Sequence, residues 1–325
     1  MKQLAIALLV AAAVIPALPQ KTGSPFAGRW DITLTRGNDV FPSWMEAVEK
    51  DGSLQVRVQG RTGNVNPAAA VRMDGAKLLV TVVVASASRP ELMWELSAAG
   101  GKLTGTQKQG DTVCRLTGVR APALKRPAPA AWSDPEPLFN GQDLSGWEPI
   151  NNTPDTMAGP LTSHWIAKGG ELVNEARGSN LRTTRTFDDF RLHVEWLCPP
   201  DENSGVYLRG RYEVQVAPPA PERPRPVAAS HPPNPYLGVG CIYGMLGPAG
   251  PPPVRADWQT FDITLIGRWV TVVFNGVKTI DNGEIAGITG GALDSREAEP
   301  GPIYFQGDHR GGIRYRNITI AVPRR

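Results

Sequence analysis

Between Phe26 and Thr117 the chain alternates apolar and polar residues in short runs and does not sustain the 3.6-residue apolar period of a helix. The runs are the opening FAGRWDITL, then Trp44–Glu49, Leu54–Gln59, Ala69–Met73, Lys77–Val84, Glu91–Ser97, Lys102–Gln107 and Thr112–Thr117. Asp51-Gly52, Asp74-Gly75 and Gly100-Gly101 fall between them, as tight antiparallel hairpins require. About eight strands at a spacing of ~10–12 residues predict a small antiparallel barrel or two-layer sandwich over residues 24–120. The pattern then breaks. Residues 121–137 are dominated by proline and alanine, which predicts an extended, semi-rigid linker with a domain boundary near Arg126.

Alternation resumes in residues 138–325. Gly205–Arg209, Tyr212–Val216, Trp258–Ile266, Trp269–Phe274 and Ile313–Val322 read as strands, and Phe274-Asn275-Gly276-Val277 is a strong hairpin signal. In the stretch NSGVYLRGRYEVQV, residues 203–216, Tyr212, Val214 and Val216 share one face. Arg211, Glu213 and Gln215 share the other. A strand of this kind can pack a core with one face and line a cleft, or meet water, with the other. The chain is therefore expected to be all-β, with two β domains.

Composition narrows the function classes. Among 325 residues, 34 Lys and Arg against 31 Asp and Glu give a net charge of +3, with no basic run. That balance argues against a nucleic-acid or membrane surface. Glycine (35) and proline (31) are abundant, as many short strands and turns require. Residues 1–20 carry Lys2, an apolar run from Leu4 to Val14, then proline and small residues, the pattern of a secretory signal peptide. The expectation is an exported protein, periplasmic or extracellular, cleaved between Ala17 and Gly23. No later run approaches the ~20 apolar residues of a membrane span. Cys114, Cys198 and Cys241 are too few for a disulfide framework, although Cys198 and Cys241 could pair if the fold brings them together. No zinc-ligand spacing occurs.

The second domain resembles a known family along its whole length. LFNGQDLSGW at residues 138–147 is similar to the opening of the 3-keto-disaccharide hydrolase family, long catalogued as a domain of unknown function in exported bacterial proteins. The likeness continues in order. It runs through His164-Trp165 with Gly170-Glu171-Leu172, LRTTRTFDDFRLHVEW at 181–196, and the NSGVYLRGRYEVQV core. It ends with GCIYG at 240–244, Trp258-Gln259, Phe274-Asn275-Gly276, and FQGDH with YRNI near the end. One departure stands out. Where family members often carry an acid after the E-x-Q strand, this chain has Val216-Ala217-Pro218 and a proline-rich insertion at 217–235. The resemblance implies a concanavalin-like jelly roll of two antiparallel sheets. It also implies a substrate whose C3 hydroxyl is already oxidised to a ketone, cleaved by elimination across C1–C2 and then hydration.

Such chemistry needs a base for the acidified C2 proton, a group to hold the enolate oxygen, and an acid for the departing oxygen. The resemblance places Glu213 and His309 as the proton-transfer candidates and Arg209 as the partner of the oxyanion. Asn203, Gln215, Tyr243, Gln306, Asp308 and Glu171 are the candidates for binding sugar hydroxyls. Each has a plainer reading. Arg209 and Glu213 could form a structural ion pair, Asp308 a turn cap, and His309 a solvated loop residue. His193 and Glu195 either line the cleft or face water. Trp147, Trp165, Tyr207, Tyr243 and Trp258 either stack on sugar or pack a core. Carboxylates with His309 could hold a divalent metal, but no ligand spacing demands a cofactor. The first domain has no histidine and its acids Glu46, Glu49, Glu91 and Glu95 are dispersed, so it reads as an accessory domain. The expected partner is a small carbohydrate, and the alternative to an enzyme is a lectin-like module or a β-rich interaction protein on the same fold.

Overall fold

The computed structural model describes residues 23–60, 65–83, 90–150, 161–218 and 236–324. The expected signal peptide, His231 and most of the 217–235 insertion lie outside them. Among the described residues every regular element is a β-strand.

The first nine strands are β1 (Gly28–Arg36), β2 (Asp39–Lys50), β3 (Ser53–Gln59), β4 (Val65–Pro67), β5 (Ala70–Asp74), β6 (Lys77–Val82), β7 (Leu92–Ala99), β8 (Lys102–Gln109) and β9 (Thr112–Arg120). They form one antiparallel sheet in the order β4-β3-β2-β1-β9-β8-β7-β6-β5. The two ends of that sheet meet. Ala68 N–H donates to Val56 O and Ala69 N–H to Thr81 O, each at 2.8 Å, so β4 and β5 act as one bent strand shared between β3 and β6. Of the two architectures expected, the structure is therefore the barrel, and closure removes the free edges. Period-2 positions such as Trp30, Ile32, Leu34, Val80, Trp94 and Leu116 fill its interior. Asp51-Gly52 and Gly100-Gly101 adopt positive φ at both residues, as I′-type hairpins need.

The proline- and alanine-rich segment is fastened at several points along its length. Arg126 binds Asp188 and Asp189, Trp132 bridges to Pro323, and the Arg191 guanidinium stacks over the Trp132 ring at 4.7 Å. β10 (Glu136–Pro137) then pairs with the last strand.

The remaining strands are β11 (Trp147–Ile150), β12 (Trp165–Lys168), β13 (Glu171–Asn174), β14 (Asn180–Thr183), β15 (Phe190–Leu197), β16 (Ser204–Leu208), β17 (Tyr212–Val216), β18 (Gln259–Ile266), β19 (Trp269–Phe274), β20 (Val277–Glu284), β21 (Tyr304–Phe305) and β22 (Arg314–Ala321). They build a two-sheet sandwich, as a jelly roll requires. The larger sheet runs β12-β13-β22-β15-β18-β19-β20, with β10 beside β22, and the smaller runs β11-β14-β21-β16-β17. Between them lies one apolar layer that includes Leu181, Val206, Val214 and Phe305 from the small sheet and Leu192, Val194, Trp196 and Ile320 from the large one. Burying such side chains is the main stabilising term, at ~1.5–3 kcal/mol for each aliphatic residue. No disulfide contributes: Cys114, Cys198 and Cys241 are all buried thiols, and Cys198 and Cys241 are not joined.

Candidate functional site

Because side chains alternate along a strand, the apolar layer fixes what faces away from it. With Val206, Leu208, Tyr212, Val214 and Val216 turned inward, Tyr207, Glu213 and Gln215 project from the opposite face of the small sheet. Register then sets their neighbours. Tyr207 lies opposite Glu213 on one side and opposite Tyr304 on the other. Tyr304 lies opposite Arg182, and Arg182 opposite Glu148, with which it forms an ion pair at 2.6 Å. Gly205 lies opposite Gln215, and a Cβ there would sit 2.3 Å from Glu213 Oε1. The glycine makes room for the carboxyl.

The tyrosines form the centre of this face. Their rings stack at 3.9 Å with 12° between planes. The Tyr207 hydroxyl donates to Gly290 O at 2.8 Å and the Tyr304 hydroxyl to Gly291 O at 2.5 Å. Glu213 is 4% exposed. Burial pushes its carboxyl up to about 8, the neighbouring Tyr207 restrains the shift, and the nearby Asp308 charge adds to it. Among the described residues no cation is one of the groups that set this value. Tyr243, whose N–H donates to Glu213 O at 3.0 Å, is pushed up to about 12 by burial and by the Glu213 charge. A carboxyl near 8 exchanges its proton close to neutral pH, as a general acid or base should.

The other expected residues divide. Gln215 is buried on the Glu213 face, and Gln306 follows Tyr304 with the same parity. Asp308 is buried near Glu213, and His309, at 38% side-chain exposure, sits beside it with Nε2 3.9 Å from Asp308 Oδ1. Asn203 enters β16 half-buried, its N–H donating to Glu202 Oε1 at 2.8 Å.

Arg209 does not belong to this set, which corrects the expectation. It occupies the β16–β17 turn at φ 51°, so the strand's alternation no longer applies to it. Its fully buried guanidinium donates to Asp188 at 3.1 Å, and to Tyr212 Oη and Gly267 O at 3.0 Å each. Those bonds tie the turn to the large sheet. Glu171 is likewise misplaced by the expectation. It lies on the outer face of the large sheet, paired with Arg314. His193 and Glu195 share that face, where His193 meets Asp262 at 2.7 Å and Glu195 meets Arg316 at 2.7 Å. Of the aromatics, Trp147 and Trp165 pack the core against Phe305. Trp258 is stacked by Arg316 at 3.9 Å. Among the described residues no three His, Cys, Asp or Glu side chains are grouped to hold a metal ion.

Tyr304, Arg182 and Glu148 carry no signal that marks them in advance. Their alternation is legible, but which strands lie next to Tyr207 is a matter of pairing.

Residues 134–321, more than half of the chain, match the family model described as the 3-keto-alpha-glucoside-1,2-lyase-like domain. Two solved structures from Parabacteroides distasonis, described as candidate glycosyl hydrolases, are similar to this chain. One is 26% identical, covering 60% of this chain and 92% of its own with a TM-score of 0.44. The other is 18% identical, covering 57% and 92% with a TM-score of 0.46. No curated protein matches the chain. Among the described residues no helix is long and apolar enough to cross a membrane. The match spans every strand of the sandwich and the whole Glu213–Tyr207–Tyr304 face, and the chain belongs to the 3-keto-alpha-glucoside-1,2-lyase-like family, a carbohydrate-active group.

Proposed function

We propose that the chain cleaves glycosides carrying a ketone at C3, by elimination across C1–C2 followed by addition of water. The observation that carries this reading is the Glu213 carboxyl. It is buried, has no cationic partner among the described residues, and is pushed up to about 8 on a polar face within the family-matched strands. An ordinary carboxylate is too weak a base to remove a carbon-bound proton readily. One destabilised by burial is a stronger base, and the C3 ketone makes the C2 proton more acidic.

In this mechanism Glu213 takes the C2 proton while the electron pair forms an enolate on the C3 oxygen. The Tyr243 phenol, kept protonated up to about 12, donates to that oxygen in place of the role expected of Arg209. The enolate collapses, the C1–O bond breaks, and the leaving oxygen takes a proton from His309, at the exposed rim beside Asp308. Water then adds at C1 of the enone and C2 regains a proton, which gives net hydrolysis. Gln215, Gln306 and Asn203 supply amides for sugar hydroxyls. No pair of carboxylates flanking the glycosidic bond is needed, unlike ordinary glycosidases.

The test incubates the protein with a 3-keto-glucoside and with its unoxidised parent. Release of the aglycone from the keto form alone is the expected result. Binding of both without release would replace the enzyme with a lectin-like module. Export, by cleavage of residues 1–20, is part of the same proposal. It predicts mature protein beginning between Ala17 and Gly23 in the periplasmic or extracellular fraction.

A further inference from the structure

Residues 285–297 leave β20 and form no strand. Ile285, Ala286, Ile288 and Ala292 pack into the apolar core of the sandwich, while Gly287, Gly290 and Gly291 carry no side chain, so at those three points contacts with neighbouring residues fix the backbone. Those neighbours are the barrel on one side and the polar face on the other.

On the barrel side there are four attachments. Arg29 pairs with Glu284, just ahead of the segment. The indole edge of Trp44 lies on Gly287, where a Cβ would come within 2.0 Å of Nε1. Thr33 Oγ1 is 3.4 Å from Ser295 Oγ. Asp31 is buried close to Glu297, and burial together with the Glu297 charge pushes the Asp31 carboxyl up to about 9. The Glu297 carboxylate is held by Arg268 at 2.9 Å and by the Tyr212 hydroxyl at 2.6 Å. Trp44 is fully buried, and it packs into the apolar cluster of the sandwich instead of that of its own barrel.

On the site side the same segment meets the acid–base face. Thr289 Oγ1 accepts the Glu213 N–H at 2.9 Å. Gly290 O and Gly291 O accept the hydroxyls of Tyr207 and Tyr304. Leu293 N–H donates to Gly210 O at 2.8 Å, in the turn between β16 and β17.

We infer that the barrel is a positioning element for the acid–base site, with Trp44 setting where residues 285–297 lie and hence where Tyr207, Tyr304 and Glu213 are held. This rests on the reading of Glu213 as the reacting group. Trp44 touches none of the reacting atoms and acts through the segment. Removing the indole frees Gly287 to move, loosens the carbonyls that hold the two hydroxyls, and admits water to the Glu213 carboxyl.

The test compares the intact chain with its Trp44→Ala and Trp44→Phe variants. Folding is checked by circular dichroism, and the Glu213 carboxyl is titrated by carbon NMR, its signal assigned through Glu213→Gln. In Trp44→Ala the Glu213 midpoint should fall by about one unit as its surroundings gain water. Amide exchange at residues 288–293 should speed up. On the 3-keto-glucoside, kcat should fall by about tenfold with KM within about twofold, because alignment is lost while binding is kept. Trp44→Phe should recover most of each change. A folded Trp44→Ala variant with wild-type titration and exchange overturns the inference. If wild type releases no aglycone but the titration still moves, the proposed function fails and the positioning role stands. If wild type is active and the titration does not move, the positioning role fails and the proposed function stands. Should Trp44→Ala fail to fold, Gly287→Ala pushes the same contact apart from the other side and is read by the same measurements.

Discussion

The two outward faces of the sandwich are built from similar residues and treat their carboxylates differently. On the large sheet each acid meets a base at the surface: Glu171 meets Arg314, Glu195 meets Arg316, and Asp262 meets His193. There burial pushes the Glu195 carboxyl up, but Asn317 and Arg316 outweigh it and hold it below its ordinary value. On the small sheet Glu213 is buried deeper, faces two stacked tyrosines, and is raised to about 8. Placing an acid beside a base lowers its proton affinity and leaves it inert at neutral pH. Burying one among neutral groups near a second carboxylate keeps it reactive. A polar strand face is therefore a weak guide to chemistry until the partner of each charge is known.

The largest effect should come from removing the carboxyl proposed to take the C2 proton. Glu213→Gln keeps the volume beside Gly205 and should lower kcat on a 3-keto-glucoside by about 10²–10⁴-fold, with the fold intact by circular dichroism. If that variant turned over at the wild-type rate, the contrast between the faces would have no functional content. The next effect concerns the residue that sequence placed wrongly. Arg209→Met removes the donor to Tyr212 Oη and Gly267 O and leaves Asp188 with Arg126 alone, which should cost ~1–3 kcal/mol in denaturant unfolding. A loss of kcat with unchanged stability would instead return Arg209 to the site.

A third measurement follows from linkage. Glu213 at about 8 and Asp31 at about 9 titrate above the ~4 expected of carboxyls in the unfolded chain. A raised carboxyl means that the folded state binds the proton more tightly, so folding takes up protons between these values. Stability should therefore fall as pH rises from about 5 to about 9 and level off above that. Glu213→Gln should make the slope shallower. A slope unchanged by that substitution would place the Glu213 carboxyl in water.

How far the sequence led is clearest at Arg209. Tyr207 and Arg209 are two apart, and continuing the strand's alternation puts both on the Glu213 face. The strand ends at Leu208, and positive φ at Arg209 and Gly210 turns the side chain to the core instead. Alternation is a local signal, so it put Glu213 and Gln215 together on one outward face, as the structure has them, and failed one residue past the strand end. Glu171 failed for a different reason. Its outward position follows from Leu172, but nothing local says which sheet its strand joins. The barrel closure through Val65–Pro67 was hidden because three residues ending in proline do not read as a strand. Contacts such as Asp31 with Glu297 join distant segments, and no period in the chain encodes them.

The smallest expected effect bears on the inert face. Glu195 accepts from Arg316 at 2.7 Å and from Asn317 at 2.8 Å, and its side chain is 18% exposed. Partly solvated pairs of this kind gain little, because each charge gives up hydration to meet the other and salt screens what remains. Glu195→Gln keeps the hydrogen-bonding shape and removes the charge, so it should cost at most about 1 kcal/mol, less at high salt, and leave turnover unchanged. The same exchange of carboxylate for amide is thus made on both faces of one sandwich. If Glu195→Gln reduced turnover as Glu213→Gln does, the reactive surface would extend to the large sheet, and having a cationic partner would not be what separates an inert carboxylate from a working one.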